Sequence, residues 1–264
     1  MEQLSLIYLD SAATTRARPE VAEKVRTALL SEYGNPSSLH GMGHAAERLL
    51  KESRGWVADA LGVAPAEIVF TSGGTEGNNL AIQGVAKARA RRGRHLITTR
   101  IEHSSVLNAC RALEEEGFNV TYLDVDAEGR VTPEQVVEAL TGETILVSVM
   151  HVNNEIGTVQ PVEEIARAVK EAKRDVVVHS DGVQAFLKVP LSLARTAVDL
   201  YTTSAHKVHG PKGVGALYVR RGVRIRPLFG RGEQEGGLRS GTENVPGIAG
   251  FGEAVASAMH AGRA

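Results

Sequence analysis

Short apolar runs alternate with longer stretches of helical spacing along most of the chain. Ile68-Val69-Phe70-Thr71, His95-Leu96-Ile97-Thr98-Thr99 and Asn119-Val120-Thr121-Tyr122-Leu123 read as strands. Further strands are predicted at 144–150, 176–180, 198–203 and 214–219. The run from Thr144 to Met150 is apolar at nearly every position, as expected of a strand covered on both faces. Helices are predicted from Thr75 to about Arg91, from Ser104 to Glu116, from Pro161 to about Lys173 and from Pro246 to about His260. In the second of these, Val106, Cys110 and Leu113 share one face. Thr132-Pro133-Glu134-Gln135 marks a further helix start, with Thr132 as N-cap, Pro133 first and Gln135 closing a capping box. The alternation predicts an α/β fold around a mostly parallel seven-stranded sheet with helices on both faces. Ligands of such sheets sit at the carboxyl ends of the strands.

Composition narrows the classes. The 264 residues are 42% hydrophobic and 23% charged, an ordinary globular balance. Lys and Arg number 30 against 31 Asp and Glu, so no long-range field favours nucleic acid or an anionic membrane. One cysteine allows no internal disulfide and no zinc knuckle. No apolar run is long enough to span a bilayer. Met1-Glu2-Gln3-Leu4 lacks the basic region and apolar core of a secretory signal, so a cytoplasmic location is the default expectation. No metal is expected. A zinc hydrolase argued from His206 and His209, or His40 and His44, lacks the H-E-x-x-H context. Gly41-Met42-Gly43-His44-Ala45-Ala46 fits a dinucleotide fingerprint, but Ser37-Ser38-Leu39-His40 before it is no strand.

The strand ends carry the candidate chemistry. Ser72-Gly73-Gly74-Thr75 after the first strand is either a plain turn capped by Thr75 or an anion site at a helix start. His103 after the second strand is either structural or a ring that stacks on a ligand and moves a proton. His151-Val152-Asn153-Asn154-Glu155 after the fourth suits a turn or hydrogen bonds to a ligand hydroxyl. Asp181, at the mouth of the sheet after the fifth, needs a cationic partner if buried. Lys207 follows the sixth strand, in a chain with 8 Lys against 22 Arg. It is either surface charge or a nucleophile that holds an aldehyde as an imine. Taken together, an aspartate for a pyridine nitrogen, a lysine for an aldehyde, a Gly-Thr helix start for a phosphate, amides for a ring hydroxyl and a stacking histidine are the needs of pyridoxal 5'-phosphate (PLP).

From Tyr8-Leu9-Asp10-Ser11-Ala12-Ala13-Thr14-Thr15 to Arg239-Ser240-Gly241-Thr242 the sequence resembles the NifS/IscS-like cysteine desulfurases, of the class V aminotransferase type. Asn35-Pro36-Ser37-Ser38, Thr71-Ser72-Gly73-Gly74-Thr75-Glu76, His151-Val152-Asn153-Asn154-Glu155-Ile156-Gly157 and Ser204-Ala205-His206-Lys207 carry the resemblance. It implies an aspartate aminotransferase-like (fold type I) large domain, PLP as cofactor, and removal of sulfur from L-cysteine to give alanine and a persulfide. It implies Lys207 as the cofactor lysine and proton carrier, and Asp181 as partner of the ring nitrogen. Gln184 and Asn154 would bond the ring hydroxyl, and His103 would stack on the ring and assist proton transfer. Gly74, Thr75, Ser204 and His206 would form the phosphate cradle. Thr242 would reach the phosphate of a neighbouring subunit, in a homodimer. Sulfur-acceptor proteins, iron–sulfur scaffolds or thiocofactor enzymes among them, are the implied partners.

The resemblance also sets expectations about what the 264 residues lack. The family's nucleophilic cysteine and its substrate-carboxylate arginine are expected beyond the RSGT segment, in a small C-terminal domain largely missing here. Residues 1–15 are expected to belong to that small domain, 16–250 to the cofactor-binding domain, and 251–264 to the start of the shortened region. The final helix is expected to lack packing partners and to expose apolar surface. Cys110, on a helix face with Val106 and Leu113, reads as a buried structural residue. The chain is expected to hold PLP without completing desulfuration alone. Alternatives are another class V enzyme such as a selenocysteine lyase, or a non-catalytic PLP-binding fragment that pairs with full-length subunits.

Overall fold

The computed structural model describes residues 7–230 and 232–262. Met1-Glu2-Gln3-Leu4, on which the expectation about a leader rested, and the first part of the 1–15 segment lie outside them, as do the last two residues of 251–264. Seven strands form one sheet: β1 (Ile68–Thr71), β2 (His95–Thr99), β3 (Asn119–Leu123), β4 (Thr144–Ser148), β5 (Val177–Asp181), β6 (Leu200–Ser204) and β7 (Gly215–Val219). Their spatial order is β1-β7-β6-β5-β4-β2-β3. β7 runs antiparallel to β1 and β6, and the remaining pairs are parallel. The mostly parallel seven-stranded sheet predicted from the alternation is therefore present.

Among the described residues seven α-helices accompany it: α1 (Pro19–Leu30), α2 (Gly41–Leu61), α3 (Gly74–Arg89), α4 (Ser104–Glu115), α5 (Pro133–Glu138), α6 (Val162–Ala172) and α7 (Val245–Ala261). The central strands look uniformly apolar in sequence, yet their side chains alternate between two cores, as pleating requires. Leu96, Leu146, Val177 and Leu200 face one core with Leu80 and Val85 of α3 and Val106, Cys110 and Leu113 of α4. Their neighbours Ile97, Val147, Val178 and Tyr201 face the other, with Val57 and Leu61 of α2, Ile165 of α6 and Phe251 of α7. Thr132 and Gln135 form the predicted capping box at the start of α5.

As expected, the Gly41–Ala46 stretch that resembles a dinucleotide fingerprint is not preceded by a strand: it is the start of α2, capped by the His40 imidazole. Two readings need correction. The sequence patterning does not reveal α1 and α2, although α2 is the longest helix described. The final helix is not bare. Val245, Ile248, Ala249, Phe251, Ala254 and Val255 are buried, and α7 packs against α1 and α2. The chain's own N-terminal third supplies the partners. Gly252 makes the close approach possible, because a Cβ there would lie 2.6 Å from Cβ of Ser53 on α2.

Candidate functional site

The carboxyl ends of β1, β2, β4, β5 and β6 converge on a cavity of about 460 Å³. This is the size expected of a small-molecule or cofactor site. On the α3 side the strands grade from apolar to polar along their length. Val177 gives way to His179 and Asp181, and Leu200 to Thr202 and Ser204. The polar ends meet Asn78 of α3 and Ser105 of α4.

The turn after β1 brings α3 to the cavity. Gly73 has φ 149°, a conformation that a side chain would strain, and Gly74 and Thr75 line the cavity. Glu76 reaches back to accept from the Ser72 N–H at 2.7 Å and pairs with Arg239 at 3.0 Å. Burial opposes its charge, but the bonds from Ser72 and Arg239 outweigh burial and hold its carboxyl below the ordinary range. The first-turn N–H groups of this 16-residue helix have no partner within it, so the helix presents donors and a positive dipole end to the cavity.

Asp181 ends β5 and is 5% exposed. It accepts from the Val183 N–H at 3.0 Å and from the Asn78 amide at 2.7 Å. The expected cationic partner is not there: among the described residues no Lys, Arg or His pairs with it within 4.0 Å. Burial accordingly pushes its carboxyl above the ordinary range, against the two hydrogen bonds and the nearby His103 and Lys207. A buried carboxylate that faces a cavity without a cation is suited to a ligand that brings one.

A single 3-10 turn, Ala205–Lys207, follows β6 and carries His206 and Lys207 to the same cavity. The Lys207 Nζ donates to the Ala12 carbonyl and, at 2.9 Å, to the Ala13 carbonyl. Burial lowers its pKa from the ordinary 10.5, while Asp10 and Asp181 oppose that shift. The His206 Nδ1 lies 3.1 Å from Thr14 Oγ1, and burial, with Lys207, Lys212 and Lys188, lowers its pKa. Thr15 anchors the segment that carries Ala12, Ala13 and Thr14 by bonding the His206 carbonyl through both its N–H and its hydroxyl.

The cavity gathers nine of the ten singled-out positions: Gly74, Thr75, His103, Asn154, Asp181, Gln184, Ser204, His206 and Lys207. Asn154 donates to Glu155 Oε1 at 2.6 Å, and Gln184 donates to the Ala12 carbonyl at 2.9 Å. Thr242 is the exception: it is exposed and does not line the cavity. Their place at or after a strand end gives no role to Asn78, Ser105 or Glu102. Asn78 and Ser105 line the cavity; Asn78 sits one turn into α3 and Ser105 is the second residue of α4, and a polar residue at a core-facing position is the available signal. Glu102 is buried between strand ends, accepts from Thr99 Oγ1 and the Met150 N–H, and has its carboxyl pushed up to about 8 by burial. Among the described residues no cluster of three or more His, Cys, Asp and Glu is arranged for a metal, and no helix is long and apolar enough to cross a membrane.

Known proteins share this architecture. Cysteine desulfurase IscS of Dictyoglomus turgidum is 49% identical over 96% of this chain and 64% of its own length. A putative cysteine desulfurase IscS 1 of Bacillus subtilis is 51% identical over 94% of this chain and 65% of its own length. The chain thus spans less than two thirds of the curated relatives it matches. A solved NifS-like protein superposes with a TM-score of 0.93 at 47% identity, over 96% of this chain and 70% of that one. A structure described as SspA in complex with cysteine gives 0.92 at 44% identity, over 95% and 72%. The family model for class-V aminotransferases matches residues 7–264, the stretch that builds both the sheet and the cavity, and the chain belongs to that family.

Proposed function

We propose that the chain is the PLP-binding part of a cysteine desulfurase. The single observation that carries the reading is the cavity itself. A buried carboxylate without a cation, a lysine of lowered pKa and an open helix N-terminus face one space of about 460 Å³. The class-V family is PLP-dependent, and these groups fit that cofactor. Lys207 would hold its aldehyde, Asp181 its ring nitrogen, and Asn154 and Gln184 its ring hydroxyl. The N-terminus of α3 would hold its phosphate with Gly74, Thr75, Ser204 and His206. When bound, PLP supplies an electron sink that weakens bonds at the Cα and Cβ of an amino acid.

The protein's own residues do the rest. The lowered pKa of Lys207 gives it a larger neutral fraction at working pH, which suits both attachment and proton transfer at Nζ. Asp181 would keep the charge on the ring nitrogen, and His103 would lie against the ring with its imidazole able to hold a proton. The favoured substrate is L-cysteine, which relatives named cysteine desulfurase and a neighbour described with cysteine both support. Cys110 does not take the sulfur: it is 1% exposed and burial pushes its thiol up to about 12. The accepting thiolate would come from elsewhere. A homodimer, in which Thr242 serves a neighbouring site, and transfer to iron–sulfur or thiocofactor assembly in the cytoplasm complete the proposal.

The test is a visible spectrum of the 264-residue chain with PLP, beside Lys207→Ala, before and after L-cysteine. The expected result is a band that needs Lys207 and moves with L-cysteine. A chain folded by circular dichroism that shows no band, or the same band in Lys207→Ala, overturns the reading.

A further inference from the structure

Two groups of the cavity, Asp181 and His103, are joined along its wall by a continuous set of hydrogen bonds. The Asn78 Nδ2 lies 2.7 Å from Asp181 Oδ2 and 2.9 Å from Ser105 Oγ. The Ser105 Oγ lies 2.8 Å from His103 Nδ1, and the Ser105 N–H donates to that same nitrogen at 3.2 Å. The direction of the set can be deduced. Turning the Asn78 amide round would bring its carbonyl oxygen against a carboxylate oxygen, so both amide hydrogens are donated outward. Ser105 Oγ receives one of them, which leaves its own hydrogen for His103 Nδ1. The reverse order would need a proton on Nδ1, but the Ser105 backbone N–H, which cannot turn round, already points there. The arrangement has a cost. Asn78 Oδ1 is buried without a partner, as expected if the donor side of the amide is what the site requires.

We propose that Asn78 and Ser105 are positioning residues that fix His103 as its Nε2–H tautomer and Asp181 as an acceptor toward the cavity. Nε2 has no protein partner among the described residues, and the ring lines the cavity. His103 therefore meets a ligand as a proton donor, with Nδ1 already saturated. The proposal rests on the roles given above to His103 and Asp181, and it adds two residues that touch neither the reacting lysine nor each other's partner.

Long-range proton–nitrogen correlation spectra of the chain labelled with [15N]histidine, recorded without added cofactor, test it. His103 is assigned by its loss in His103→Gln. At a pH where the ring is neutral, Nε2 is expected to be protonated and Nδ1 to carry the shift of a hydrogen-bonded acceptor. Ser105→Ala should shift the Nδ1 resonance, and Ser105→Thr, which keeps the hydroxyl, should restore it. Asn78→Ala should move the same resonance although Asn78 does not touch the ring. Unmoved His95 and His179 signals show that a variant is folded. A proton on Nδ1 in the unsubstituted chain, or an Nδ1 signal indifferent to Asn78→Ala in a folded variant, overturns the proposal. If the variants do not fold, the tautomer of the unsubstituted chain decides. No cofactor enters these spectra, so their failure leaves the Lys207 absorption test standing, and failure of that test leaves the tautomer result standing.

Discussion

Two polar clusters, each containing a histidine, sit at opposite ends of the same sheet, the first buried and the second buried except for the exposed His103 ring. At the amino ends of β2 and β4, His95 lies between Thr144 Oγ1 at 2.7 Å and Thr121 Oγ1 at 2.9 Å. Both ring nitrogens are satisfied, and His95 does not line the cavity at the other end of the sheet. At the carboxyl ends, His103, Ser105, Asn78 and Asp181 form a set of similar length that opens on the cavity. There Asn78 Oδ1 and His103 Nε2 have no protein partner among the described residues. The first cluster uses all its hydrogen-bonding capacity on the fold, whereas the second keeps some for a ligand. A buried polar residue is thus a weak sign of function, and an incompletely satisfied one beside a cavity is a stronger sign.

Asp181→Asn should break the comparison most visibly. It removes the buried charge that would face a ligand cation, and breaking such a pair costs about 3 kcal/mol, roughly 100-fold in PLP affinity. The melting temperature should change little, because burial already disfavours that charge and Asn78 can turn its amide to meet the new side chain. Titration of the visible band beside a thermal melt reads both effects. Unchanged affinity would put Asp181 with the structural cluster. His95→Ala should do the opposite. It leaves two threonine hydroxyls without their partner and opens a cavity, for a loss of about 2–3 kcal/mol in urea unfolding, with the visible band intact. A weakened band in a folded His95→Ala chain would show that the two ends are not independent.

The two clusters also differ in how they show in sequence. The strands were legible because parallel strands buried on both faces are short, apolar and β-branched, and every one of the seven lies within two residues of its predicted place. The site residues were legible because strand ends in such sheets carry the ligand groups: Asp181, Lys207, Ser204 and Asn154 each follow or close a strand. What stayed hidden depended on contacts across the chain. α1 and α2 were passed over, and with them went the partners of α7. Asn78 and Ser105 stand 27 positions apart, and nothing local marks them as a pair. The absence of a cation beside Asp181 is likewise a property of the assembled site.

Glu102 is the smallest test and the one that separates protonation from packing. Burial raises its carboxyl from the ordinary 4.5 to about 8. The folded chain therefore binds more protons there than the unfolded chain between those values. Its contribution is fully present below pH 4.5 and is lost as pH rises through 8. His151 and His179 work in the other direction. Burial lowers them from 6.5 to about 4 and about 3, so their neutral forms favour the fold above pH 6.5, and that contribution is lost as pH falls. Between pH 6.5 and 8 the Glu102 effect should lower stability by about 2 kcal/mol, against a gain below about 1 kcal/mol from the end of the two histidine titrations. Glu102→Gln keeps an oxygen for Thr99 Oγ1 and the Met150 N–H while it cannot ionise, so that fall should be missing from it across the window. Urea unfolding of both chains at pH 6.5 and pH 8 measures the difference. Parallel slopes would mean that Glu102 is already ionised in the fold, and that the unpartnered Glu102 Oε2 is a charged group rather than a protonated one.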